Sequence, residues 1–258
     1  MPTVYRVRVE SEKVGSLVGL NDAPVIADPI GLGVKVALPV NEWIIPDFDN
    51  KFTALLTAPE TGEPFERGTA SVDASCFRVD PASQTGEAAA TLAQFRWPLP
   101  TPEVYPFPFS APVEFDRPVP AVRLWEEAER FESLSAEDTS LVRAMADHLV
   151  TAFKSGDPDR IYELLRYKLE DYCLAYEIEQ EAIRASAVDQ FRMITSQDNA
   201  SVNNLESAKL NLRLICDNRV VQLIYGADMR LIKVSGDRYT YTQMVYAAKV
   251  GGEWKVVR

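Results

Sequence analysis

Sixteen of the seventeen prolines in this chain lie at or before residue 120, and only Pro158 lies beyond it. Proline has no backbone N–H and a locked φ, so segments rich in it build neither long helices nor central strands. The first half must therefore be strands, turns and connectors, and long helices belong to the second. Eight of those prolines, at 98, 100, 102, 106, 108, 112, 118 and 120, fall between Trp97 and Pro120. Such density predicts an extended, polyproline-like connector over 98–120. Tyr105, Phe107, Phe109 and Phe115 lie within it, and a free linker does not leave such rings in water. The connector is expected to be a strap held by its aromatics across a domain junction. The other reading is a proline-rich ligand for a partner's groove.

Residues 1–97 read as a β-rich domain, a small sheet or sandwich. Val4–Glu10 alternates apolar and polar residues, and Leu32–Leu38, Lys51–Ala58, Thr69–Val79 and Ala89–Trp97 are further strand candidates. Asn21-Asp22, Asp28-Pro29, Asp47–Asn50, Pro59–Pro64 and Asp80–Gly86 supply turns between them. Ala88–Leu92 could instead open a short helix. Trp43-Ile44-Ile45, bracketed by Pro39 and Pro46, reads as an irregular apolar segment.

Residues 121–258 read as helices followed by a sheet. An acidic helix is expected over Ala121–Leu134. Ser135 stands where a side-chain oxygen caps the next helix, with Leu141, Met145, Leu149, Ala152 and Phe153 on one face and an end near Gly156. Asp157-Pro158 restarts the helix as cap and first-turn proline, and Ile161, Leu164, Leu165, Leu169, Tyr172, Cys173 and Tyr176 make a stripe at 3.6-residue spacing. Ile183, Ala187, Phe191 and Ile194 continue it after a bend near Glu177–Glu181. From Glu206 the pattern becomes an antiparallel meander: Leu210–Cys216, Arg219–Tyr225, Asp228–Val234, Arg238–Val250 and Glu253–Arg258, turning at Asp217-Asn218, Ser235–Asp237 and Gly251-Gly252. A strand over Arg238–Val250 would be about 43 Å long if straight, so a coil or bulge is expected in it. The fold class is thus α+β: a β-rich N-terminal domain, then three or four helices packed on a curved antiparallel sheet.

Charge is uneven. Residues 1–120 carry 9 basic and 16 acidic groups, residues 121–190 carry 8 and 16, and residues 191–258 carry 10 and 6, for a net charge of −11. An acidic chain repels phosphate backbones, so nucleic acid is excluded as a partner and a basic surface is favoured. Met1–Lys13 has no apolar core of a secretion signal and no apolar run reaches about 18 residues, so neither export nor a membrane is expected. Cys76, Cys173 and Cys216 are scattered and sit in apolar surroundings, as free thiols of a reducing cytoplasm would.

The order helix, Lys154-Ser-Gly-Asp-Pro158, helix, helix, then a sheet closing on Lys249–Arg258 (KVGGEWKVVR) resembles the nuclear transport factor 2-like, or SnoaL-like, cone fold over residues 135–258. That resemblance implies a conical sheet wrapped on a helix around a pocket that is enzymatic, ligand-binding or filled. The whole layout is similar to that of two-domain bacterial immunity proteins that neutralise type VI secretion nuclease effectors, which implies a cognate toxic effector as partner.

Nucleophile elbows, zinc-protease helices and phosphate-binding loops are missing from the sequence, and Gly31-Leu-Gly33 lacks the rest of a dinucleotide fingerprint. No catalytic, cofactor-binding or metal-binding residue is assigned, and no cofactor is expected. His148, the single histidine, shares a face with Leu141 and Met145 and reads as partly buried. Enzymes resembling ketosteroid isomerase use a buried carboxylate with a tyrosine. Tyr162, Tyr172, Tyr176, Tyr239, Tyr241 and Tyr246 read instead as core filler with hydroxyls at the rim. The acidic helices are the remaining constellation. Glu126, Glu127, Glu129 and Glu132 crowd the first. Glu170, Asp171, Glu177, Glu179 and Glu181 crowd the third beside Tyr172 and Tyr176. For each alone, a solvated helix face is the simpler reading. As a group, with few interleaved lysines, they suit a basic groove on another protein. The candidate partner-binding set is Glu126, Glu127, Glu170, Asp171, Tyr172, Tyr176, Glu177, Glu179 and Glu181. The expected function is that of a non-enzymatic, cytoplasmic immunity protein, monomeric or homodimeric. The alternative is a small-molecule-binding or isomerase/cyclase-like cone protein.

Overall fold

A computed structural model of the chain describes residues 3–29, 31–57, 70–79, 87–97, 109–115, 122–226 and 229–258. The chain divides into two compact units, Met1–Pro120 and Ala121–Arg258. Among the described residues, all helices of more than one turn lie in the second, and none is long and apolar enough to cross a membrane.

The first unit is built from strands β1 (Tyr5–Glu12), β2 (Gly15–Leu20), β3 (Ala23–Asp28), β4 (Val34–Pro39), β5 (Lys51–Thr57), β6 (Ser71–Val79), β7 (Ala88–Trp97) and β8 (Phe109–Pro112). They form two antiparallel sheets, ordered β4-β1-β6-β7 and β3-β2-β5-β8. Alternation decides which face turns inward: Tyr5, Val7 and Val9 of β1 are buried while Arg8 and Glu10 are exposed. Ala88–Leu92 belongs to a strand, not a helix, and pairs with β6. Trp43 closes a 3-10 turn, Asn41–Trp43, whose Asn41 is buried and accepts the Tyr5 N–H at 2.8 Å.

Most of the expected polyproline connector lies outside the described residues. The part that is described departs from it, because Phe109–Pro112 is strand β8, paired with β5 at a sheet edge. Pro112 is tolerated there because an edge strand has one side free of ladder bonds. Phe109 packs on Phe95 at 5.1 Å between ring centres, and Phe115 meets Tyr5 edge-on at 4.9 Å. These two rings are thus absorbed by the core of the first unit.

The second unit carries α1 (Arg123–Glu127), α2 (Ala136–Ser155), α3 (Pro158–Tyr176) and α4 (Gln180–Thr195). Its strands are β9 (Ser201–Val202), β10 (Asn211–Ile215), β11 (Val220–Ile224), β12 (Ile232–Ser235), β13 (Thr240–Gln243), β14 (Val245–Val250) and β15 (Glu253–Val256). The expected helix over Ala121–Leu134 stops at Glu127. Ala128 then pairs with Val250 as a β-bridge, and the Glu129 N–H reaches the Lys249 carbonyl at 2.9 Å. Arg219 donates to the carbonyls of Trp125 and Ala128 at 3.0 and 3.3 Å, satisfying groups a longer helix would have used. Phe131, past the end, stacks on Trp254 at 5.4 Å.

The two helix starts read from the sequence are present. The Ser135 hydroxyl accepts the Asp138 N–H at 3.0 Å, and Asp157 Oδ1 accepts the Arg160 N–H at 3.0 Å. Gly156 ends α2 at φ 67°, a left-handed conformation that costs glycine nothing. The apolar face of α2 is rotated from the expected one: Val142, Ala146, Leu149, Val150, Ala152 and Phe153 are buried, while Leu141 is 48% exposed. His148 consequently faces solvent and is not part of the interior.

The meander is also corrected. β11 pairs with β14 and not with β12, giving one sheet ordered β10-β11-β14-β15 and a second ordered β13-β12-β9. The long strand expected over Arg238–Val250 breaks at Met244, where the chain leaves the second sheet and enters the first. The core lies between helices and sheets: Phe153 meets Phe191 at 6.1 Å and stacks on Tyr241 at 6.1 Å, with Leu165, Leu223, Val245 and Val256 in the same cluster.

Candidate functional site

The acidic residues singled out by the sequence separate into three environments. Asp171 is the exception to a solvated surface. It is fully buried, and its Oδ2 accepts from Arg258 Nη1 at 2.8 Å, so it leaves the partner-facing set. A buried carboxylate without a partner would be prohibitively costly, and the guanidinium supplies one.

Glu126, Glu127 and Glu170 gather around the start of the unit. Glu126 and Glu127 are exposed at the end of α1. Glu170 is half-buried on α3, takes Arg123 at 3.0 Å and lies 3.9 Å from Arg166. Burial alone would lower the Arg123 pKa, but the Glu170 carboxylate outweighs it and holds the guanidinium pKa above its usual value. Arg123 also lies over the ring of Tyr167 at 4.9 Å, and the Tyr167 hydroxyl donates to Glu127 at 3.0 Å. Burial, then that bond to Glu127, pushes the Tyr167 phenol well up, so it stays a proton donor.

Glu177, Glu179 and Glu181 form the third environment, the corner between α3 and α4, and all three are exposed. Glu177 ends α3 in the left-handed region at φ 53°, Glu179 is the residue before α4, and Glu181 lies in its first turn. Negative side chains there are favoured by the helix dipole, a local reason for part of this cluster. Tyr172 and Tyr176, one helical turn apart, are half-buried with ring centres 4.5 Å apart. Glu170 and Glu177 are separated by about 10 Å along the helix axis.

A cleft of about 420 Å³ opens beside Tyr167. Met145, Leu164, Trp254 and Val256 give it an apolar lining. Arg123, Arg166 and Lys255 face Glu127, Glu163 and Glu170 around the rim. Lys255 lies over the Tyr167 ring at 5.5 Å, and Arg166 pairs with Glu163 at 3.3 Å. The sequence reading missed Arg123, Tyr167, Trp254 and Lys255. The spacing of Arg123 and Glu127, one helical turn apart on α1, was a local signal that both serve one site. Nothing in the sequence links Asp171 to Arg258, 87 residues away. Among the described residues, no group of three or more His, Cys, Asp and Glu side chains is arranged to hold a metal ion.

The cone arrangement expected for residues 135–258 finds helices packed on antiparallel sheets, with two sheets in place of one continuous wrap. Compared with known protein families, with characterised proteins and with solved structures, the chain matches none.

Proposed function

We propose that this chain is a non-enzymatic binding protein of the immunity type, which acts in the cytoplasm and neutralises a toxic effector of a type VI secretion system by direct contact. The observation that carries the reading is the corner of α3 and α4. Glu177, Glu179 and Glu181 stand exposed within five residues, beside the paired rings of Tyr172 and Tyr176. Clustered carboxylates steer a basic partner inward, and adjacent aromatics supply the desolvated contact that holds it. Glu126 and Glu127 extend the same charge on α1. The second unit is read as a nuclear transport factor 2-like cone whose interior is packed with side chains. Phe153 packs on both Phe191 and Tyr241 in that interior, which supports a filled core over an open catalytic pocket.

The experiment is co-expression with the product of the neighbouring gene. The expected result is a stable complex that restores growth to cells producing that toxin. A neighbouring gene that encodes no toxin, together with deletion mutants no more sensitive to attack by sister cells, would overturn the proposal.

A further inference from the structure

The cleft beside Tyr167 holds two charges that its own residues leave unmatched. Of the six charged side chains on its rim, Glu170 engages Arg123 and Arg166, and Glu163 engages Arg166. Lys255 and Glu127 remain. Among the described residues, the Lys255 ammonium has only the Tyr167 ring, at 5.5 Å, and Glu127 has only the Tyr167 hydroxyl, at 3.0 Å. Both are therefore held against the same tyrosine, one as an unneutralised cation and one as an unneutralised anion. Asp171, whose charge also acts on Arg123 and Tyr167, is already engaged by Arg258.

These charges discriminate among ligands. A simple anion would satisfy Lys255 but meet Glu127, and a simple cation would satisfy Glu127 but meet Lys255. A molecule carrying both charges close together satisfies both. The volume, about 420 Å³, lies at the small end of the range of roughly 300–1,000 Å³ typical of ligand sites. Met145, Leu164, Trp254 and Val256 offer such a molecule an apolar wall.

We propose that this cleft binds a free α-amino acid with an apolar side chain. Its carboxylate lies at the Lys255 ammonium, its ammonium lies at Glu127, and its side chain rests on the apolar wall. The site is separate from the α3–α4 corner and does not depend on the binding of a protein partner.

Calorimetric titration of the full chain with L-leucine, L-phenylalanine and L-methionine tests this, with N-acetyl-leucine and leucinamide as blocked forms. Saturable one-to-one binding is expected for at least one of the three. Each blocked form of leucine should bind about tenfold or more weakly, since each loses one charge-assisted contact. Lys255→Met should weaken leucine to the same degree and no longer distinguish it from leucinamide. Glu127→Gln should do the same with respect to N-acetyl-leucine. The absence of binding at millimolar concentration for all three amino acids would overturn the proposal. So would blocked forms that bind as well as leucine, a comparison made on the unsubstituted chain and independent of how the variants fold.

Discussion

Arg258 Nη1 donates to Asp171 Oδ2 at 2.8 Å, and the two side chains are 4% and 0% exposed. The guanidinium also lies 5.8 Å from the ring centre of Trp125, so this one contact joins α1, α3 and the strand end after β15. Removing one partner strands the other charge away from water. Asp171→Ala and Arg258→Ala should each cost about 3–5 kcal/mol in urea unfolding. The double replacement Asp171→Leu with Arg258→Met should recover much of that loss. Single variants within 1 kcal/mol of the parent (roughly the cost of an exposed pair) would show that the pair contributes nothing.

The start of α2 should respond to both mutation and acid. Ser135→Ala removes a cap and should destabilise the second unit by about 1 kcal/mol. The Ser135 hydroxyl bond, aided by Lys249 and Trp254, holds the Asp138 pKa below its ordinary value of 3.8. The folded state thus binds its proton less readily than the unfolded state. The associated stability is complete above pH 3.8 and is lost as pH falls through the lower, folded-state value. Acid unfolding of Asp138→Asn should lack this component, which a comparison of melting temperatures between pH 5 and 2.5 would read (a window of about one unit either side of an ordinary aspartate).

Alkali acts in the opposite sense. Burial pushes the Cys76 thiol up to about 12 from 9.0, and the Tyr241 phenol up to about 12. The unfolded chain loses these protons first, so stability should fall as pH climbs above 9.0 toward about 12. Cys76→Ala should blunt the thiol part of that fall. All three cysteines are buried, so an aromatic disulfide reagent should label the native chain only as fast as it opens.

Phe153 should be the costliest single truncation in the second unit. It is 1% exposed and meets both Phe191 and Tyr241. Phe153→Ala is expected to lose about 3–5 kcal/mol, through lost burial and the cavity left behind. A loss below 1 kcal/mol (less than burial of one or two methylene groups contributes) would mean that the interior collapses around the gap.

The proposed partner contact has its own kinetic signature. Changing Glu177, Glu179 and Glu181 to lysine reverses an exposed cluster without touching the core. Association with a basic partner should slow by about tenfold at low salt and by much less at high salt, with dissociation little changed. Equal rates for parent and variant at low salt would move the contact to another surface.

What the sequence made legible was local. Ser135, Asp157 and Gly156 announced helix ends because capping involves residues only three or four positions apart. Gly251 and Gly252 announced a hairpin, and they adopt φ 60° and 80°. What remained hidden was set by distant chain. β2 and β3 were absent from the strand candidates, and only the turns at Asn21-Asp22 and Asp28-Pro29 were read in that stretch. Gly19 in fact lies at a register shift where a side chain would come within 1.8 Å of the Ala23 carbonyl oxygen. The helix after Ala121 was overextended because nothing local shows that Ala128 is claimed by Val250. Asp171 looked like one more surface acid because its partner stands 87 residues on.

Met244 links strands that hydrogen-bond in separate sheets. With a single residue between them, neither sheet can slide along its own ladder without dragging the other. A one-residue insertion there would send every side chain of β13 to the opposite face relative to β14. The two sheets are thus mechanically geared, and loosening either should show as faster amide exchange in both.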